Sequence, residues 1–94
     1  MMSHTRYNIY VTSIEKLIKK ILNNQNDVTI NELVRFMEYH GFQSRVGSKG
    51  HHVFRKGEKR VGAAVDHPSK RVKSFYVKDC IKMVQEKWGL YEKE

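Results

Sequence analysis

The chain has 94 residues, enough for one domain with one modest core and not for two. Lys and Arg outnumber Asp and Glu by 18 to 10, a net charge of +8, and no apolar run approaches the length of a membrane span. The only cysteine, Cys80, excludes an internal disulfide and fits a reducing cytoplasm, while the start of the chain lacks the apolar core of an export signal.

The charge is unevenly placed. Between Gly41 and Lys78 lie ten basic residues (Arg45, Lys49, Arg55, Lys56, Lys59, Arg60, Lys70, Arg71, Lys73 and Lys78) against the two acids Glu58 and Asp66. Outside that segment the signs balance, so the middle of the chain carries the whole excess. A basic patch confined to one part of a small domain is the footprint of a nucleic-acid binder. A solubilising surface accounts for the charge alone equally well.

Residues 1–11 show little periodicity and read as a loose arm, although Tyr7, Ile9 and Tyr10 offer packing groups. Thr12 and Glu15 have capping-box spacing, and Ile14, Leu17, Ile18, Ile21 and Leu22 then follow the apolar spacing of an amphipathic helix over 12–23. Asn23 to Asp27 form a polar turn. Thr29 and Glu32 repeat the capping grammar before Ile30, Leu33, Val34, Phe36 and Met37, and Gly41 stands where a left-handed terminating residue is wanted. His40, at that helix end, suits the dipole.

Phe42 to Val46 reads as a strand and Gly47 to Gly50 as the loop beyond it. His51 to Lys56 is a second strand, and alternation decides which histidine matters. Phe54 is the core anchor, which sets His52 and Lys56 on its side and His51, Val53 and Arg55 on the other. Gly57 marks a hairpin turn. Arg60 to Asp66 returns with Val61, Ala63 and Val65 inward, and His67-Pro68 closes the strand. Ser69 to Lys73 is a basic loop, and Ser74 caps a last helix with the stripe Tyr76, Val77, Cys80, Ile81, Val84 and Trp88. Gly89 ends it, with Leu90 as its hydrophobic contact. The fold class is α+β: a two-layer sandwich of a three-stranded antiparallel sheet with helices on one face, in the order α-α-β-β-β-α.

The core over residues 29–90 resembles the double-stranded-RNA-binding fold, and more closely the HicA family of toxin mRNA interferases. His40-Gly41-Phe42, Arg45, Gly50-His51-His52-Val53-Phe54, His67-Pro68 and the basic loop with Lys70, Arg71 and Lys73 carry the resemblance. The helix over 12–23 is similar to the leading helix of longer members, so one HicA-like domain spans 12–94. The family motif is Gly-Ser-His-His with an aromatic two residues later. Here Gly50 replaces the Ser and Lys49 the Gly, with Gly47-Ser48 two residues early. The resemblance implies that His51 is catalytic, that mRNA is the substrate, and that a HicB-type antitoxin is the partner.

RNA carries its own nucleophile, the 2′-hydroxyl, so the expected chemistry needs no metal and no cofactor. A histidine can act as general acid or base, worth on the order of 100- to 10,000-fold. Lys49, Arg55 and Arg45 are candidates for holding the phosphate, with Gly50, Lys70, Arg71 and Lys73 as further RNA contacts. His52 and His67 are supporting candidates, His52 as a packed or hydrogen-bonded residue. Adjacent strand histidines diverge and Cys80 has no partner cysteine, so a zinc site is not expected. Cys80, Tyr76 and Trp88 read as core rather than as nucleophile or stacking platform. The rival readings are a non-catalytic RNA-binding module and an adaptor whose basic face meets an acidic protein.

Overall fold

The computed structural model describes the backbone of residues 2–93 and the side chains of residues 13–85. Three helices, α1 (Met2–Asn23), α2 (Ile30–Tyr39) and α3 (Ser74–Lys93), accompany three strands, β1 (Gln43–Val46), β2 (His51–Lys56) and β3 (Lys59–Ala64). The sheet is antiparallel in the order β1-β2-β3, so β2 is the central strand. The architecture is the α-α-β-β-β-α sandwich that the apolar spacing predicts.

The helices cover one face of the sheet. Leu33, Phe36 and Met37 of α2 and Val77, Cys80 and Val84 of α3 meet Phe54 of β2 and Ala63 of β3 in a single buried cluster. Leu17 and Ile21 bring α1 into it, and Val28, Val65 and Val72 seal it from the connecting segments. Phe54 is fully buried at the centre, which fixes the register of β2, because a slip of one residue would turn the apolar set outward. Burial pushes the Cys80 thiol up to about 12, so it is a core residue with no thiolate at neutral pH. Among the described residues no helix is long and apolar enough to cross a membrane.

The ends of α2 are built as the sequence predicts. Thr29 Oγ1 accepts from the Glu32 amide at 3.2 Å, and Glu32 Oε1 accepts from the Thr29 amide at 3.0 Å. At the other end Gly41 takes φ +91°, with Phe42 N–H bonded to the Met37 carbonyl and Gly41 N–H to that of Glu38. This is the double hydrogen bond of a Schellman terminus, completed by the burial of both Phe42 and Met37.

Four expectations are corrected. The helix of the first segment does not begin at Thr12: α1 runs from Met2, so the backbone of residues 2–11 is helical. No Gly or Pro interrupts residues 2–23, and nothing there stops a helix from propagating. Likewise α3 passes through Gly89 to Lys93 instead of ending there, one glycine costing a helix only about 1 kcal/mol. Ser74 is already inside α3, and it is the carbonyl of Lys73 that accepts from the amides of Tyr76 and Val77. Leu22, assigned to the apolar face of its helix, is 42% exposed. The side chains of Tyr7, Ile9, Tyr10, Thr12, Trp88 and Leu90 lie outside the described residues.

Glu32 serves two structures at once, since Lys20 of α1 also donates to both its oxygens at 2.6 and 2.7 Å. Burial is the largest single influence and pushes its pKa up. The Lys20 hydrogen bond, the Thr29 amide, the Lys20 charge and the Thr29 hydroxyl together outweigh it, holding the carboxyl below its usual 4.5. A lowered folded pKa means that the stabilisation is present above the unfolded value and is lost as pH falls through the folded one. Glu32→Gln is therefore expected to cost about 0.5–1 kcal/mol at neutral pH, an effect kept small by partial exposure of the pair. Thermal melts should show the gap from wild type closing below the usual carboxylate range; a gap constant with pH would contradict the assignment.

Candidate nucleic-acid interface

The His51 corner is organised by backbone geometry. Ser48–Gly50 form one turn of 3-10 helix, in which Lys49 takes φ 56° and Gly50 φ +75°. The His51 amide donates to the Ser48 carbonyl, and the His51 carbonyl accepts from Gly47 N–H at 2.7 Å. Gly50 in turn accepts from Val65 N–H at 3.2 Å, tying the corner to the end of β3. A Cβ at Gly50 would lie 1.9 Å from the Val65 carbonyl oxygen. Gly50 thus has a steric reason to be a glycine: this backbone crosses β3 too closely for any side chain.

The alternation places the histidines as expected. His51 is exposed and lies opposite Ala64, on the sheet face away from the helices. Its ring has no hydrogen-bond partner among the described residues. His52 lies on the Phe54 side, half-buried, with Nδ1 3.2 Å from the Gly50 carbonyl. A carbonyl only accepts, so Nδ1 donates; His52 is a hydrogen-bonded structural residue that braces the corner from beneath. His67 is two residues past Val65, at the same end of the sheet. Its Nδ1 is 2.8 Å from Ser69 Oγ and accepts from Ser69 N–H at 3.2 Å, which leaves Nε2 to carry the proton of the neutral ring.

The predicted cations divide. Lys49 sits in the corner itself, exposed and in a left-handed conformation that costs a non-glycine residue about 1 kcal/mol or more. Lys70 and Lys73 are exposed on the loop after β3. Arg71 is committed elsewhere: Nε donates to Asp27 Oδ1 at 2.6 Å, next to a strand-like bridge between Thr29 and Arg71. The Arg71 hydrogen bond, with the Lys20 charge behind it, holds the Asp27 carboxyl below its ordinary value. Arg71 therefore ties the loop to the start of α2 through Nε, while its side chain stays about half exposed. Lys56 turns inward, its Nζ donating to the His40 carbonyl at 2.7 Å.

Arg45 and Arg55 both lie exposed on the His51 face of the sheet. The register adds a residue that the strand reading passed over. Arg60 of β3 stands directly opposite Arg55, and Gln43 of β1 flanks Arg55 on the other side. Arg45 stands opposite Val53, which faces Gly62. Gln43, Arg45, Val53, Arg55 and Arg60 line an open concavity of about 840 Å³ that continues past Lys56 and Gly57 to the end of α2. Glu38 is the one acid at its rim, and it accepts from Ser44 Oγ at 2.9 Å. The signal for Arg60 was in the sequence: Val61, Ala63 and Val65 inward require Arg60, Gly62 and Ala64 outward.

Among the described residues no group of three or more His, Cys, Asp or Glu could hold a metal ion. Comparison with family models, curated proteins and solved structures finds no match for this chain.

Proposed function

We propose that this protein is a toxin-type endoribonuclease that cuts mRNA in the cytoplasm and is held in check by a HicB-type antitoxin. The observation that carries the reading is the placement of His51, whose backbone is locked in the corner while its ring stands in solvent on an arginine-bearing face. In the reaction a base removes the 2′-hydroxyl proton and O2′ bonds to phosphorus. The P–O5′ bond then breaks as a general acid protonates O5′, giving a 2′,3′-cyclic phosphate and a 5′-hydroxyl end. His51 acts as general base or acid in that exchange, and the neighbouring Lys49 would offset charge on the phosphorane.

One feature favours a second reading. Catalytic imidazoles are commonly oriented by a further group, and the His51 ring has none among the described residues, as would suit a non-catalytic RNA-binding module. A defined RNA and its counterpart with a single 2′-deoxy substitution at the cleaved position, incubated in EDTA, separate the two. The enzyme is expected to cut the first at one site and leave the second intact there while binding both. Cleavage at the deoxy position would sink the mechanism, and tight binding without any cleavage would establish the module.

A further inference from the structure

The geometry points to the open face of the sheet as a track for the backbone of single-stranded RNA, with Arg55 and Arg60 as phosphate contacts remote from the His51 corner. This inference deepens the ribonuclease reading and rests on it for the identity of the polyanion.

Side chains on one face of a strand recur every second residue, about 6.6 Å apart along the chain. On the His51 face this makes three successive rows: His51 with Ala64, then Arg45 with Val53 and Gly62, then Arg55 with Arg60 and Gln43. The rows step along β2 at roughly the interval between neighbouring phosphates of an extended strand. A scissile phosphate held at His51 thus places the next ones over Arg45 and over the Arg55–Arg60 pair.

Two arginines directly opposite each other on adjacent strands weaken the sheet, since like charges in that position repel. No acid in these rows offsets them, and the guanidinium fork suits a phosphate bidentately. Val53, Gly62 and Ala64 give the rest of the face a small, flat surface. No Phe, Tyr or Trp lies in the three rows, so beyond His51 the face offers regularly spaced charge rather than a ladder of rings. The track therefore reads charge and spacing rather than sequence.

The test uses a fluorescent single-stranded RNA with 2′-O-methyl groups throughout, so that binding is read apart from cleavage. Arg55→Gln/Arg60→Gln is compared with Lys78→Gln/Lys82→Gln, an equal loss of charge from exposed positions on α3. The arginine variant should bind at least about tenfold more weakly, with a salt slope lower by about 1.4 at about 0.7 per lost phosphate contact. Its thermal midpoint should hold or rise, because a like-charge pair is relieved. The lysine variant should bind as wild type does. Equal weakening in both variants, or in neither, would overturn the track, as would polyglutamate competing as well as RNA, which would favour an acidic protein as occupant. Cleavage of unmodified RNA is scored separately. Wild type that binds through the arginines without cutting would remove the ribonuclease reading and leave the track; normal binding and cutting by the arginine variant would do the reverse.

Discussion

His51→Ala is expected to cut RNA at least about 100-fold more slowly than wild type, the lower bound for removing a general acid or base. Affinity for an uncleavable RNA should stay nearly unchanged. The separation is expected because the ring is exposed and contributes nothing to the core, while the backbone bonds that shape the corner, Gly47 to His51 and His51 to Ser48, do not involve the side chain. An unchanged thermal midpoint would confirm that the fold is intact. His52→Ala is the informative contrast, since its ring is bonded to the Gly50 carbonyl; it should disturb the corner's stability and rate together. Equal cutting by wild type and His51→Ala would place the chemistry elsewhere and end the proposal.

Among the glycines of the described residues, Gly50→Ala is expected to be the most damaging single-methyl change. Two costs coincide there: a left-handed φ of +75°, and a Cβ that would press on the Val65 carbonyl at 1.9 Å. Together these amount to about 3 kcal/mol. In a domain of this size that is a fall of about 15 °C in Tm. Gly57→Ala separates the two costs, because Gly57 also has a positive φ, +62°, but nothing lies within 4 Å of its added Cβ. It should lose only about 1 kcal/mol, the conformational part alone. Gly50→Ala should also lose cleavage at temperatures where it remains folded, since the corner that orients His51 must move off β3. Equal stability of the two variants would show that the close approach to Val65 is relieved at no cost.

The fold was legible where signals were local and mutually consistent. The Thr29–Glu32 box, the Gly41 terminus and the alternation around Phe54 each sit within a few residues of their partners, and each is realised as read. The Thr12–Glu15 pair shows the limit of such grammar. The same spacing occurs inside a helix as well as at its start, and only a break in the preceding residues would have made it a boundary. Gly89 misled in the same way, a glycine being tolerated within a helix as well as beyond its end.

The candidate site divides along the same line. His51 and His52 were assigned to opposite faces by period alone, and so they are. Arg71 and Lys56 could not be sorted from the other cations by sequence, because their partners Asp27 and the His40 carbonyl lie 44 and 16 residues away. The outward face of Arg60 follows from the alternation of Val61, Ala63 and Val65, but its place across from Arg55 needed the register. The reason for Gly50 was equally out of reach, since it depends on where β3 passes.

The bonding of the His51 corner has an entropic consequence. Both backbone groups of His51 are engaged by residues within four positions of it, and the turn is tied in addition to Val65. What remains free is the imidazole, with its two torsions. Engaging a substrate would then order one ring rather than a loop, at a cost of a fraction of what fixing several residues of mobile backbone demands at about 1–2 kcal/mol each. On the ribonuclease reading, the bonded turn would leave that free energy available for holding the substrate.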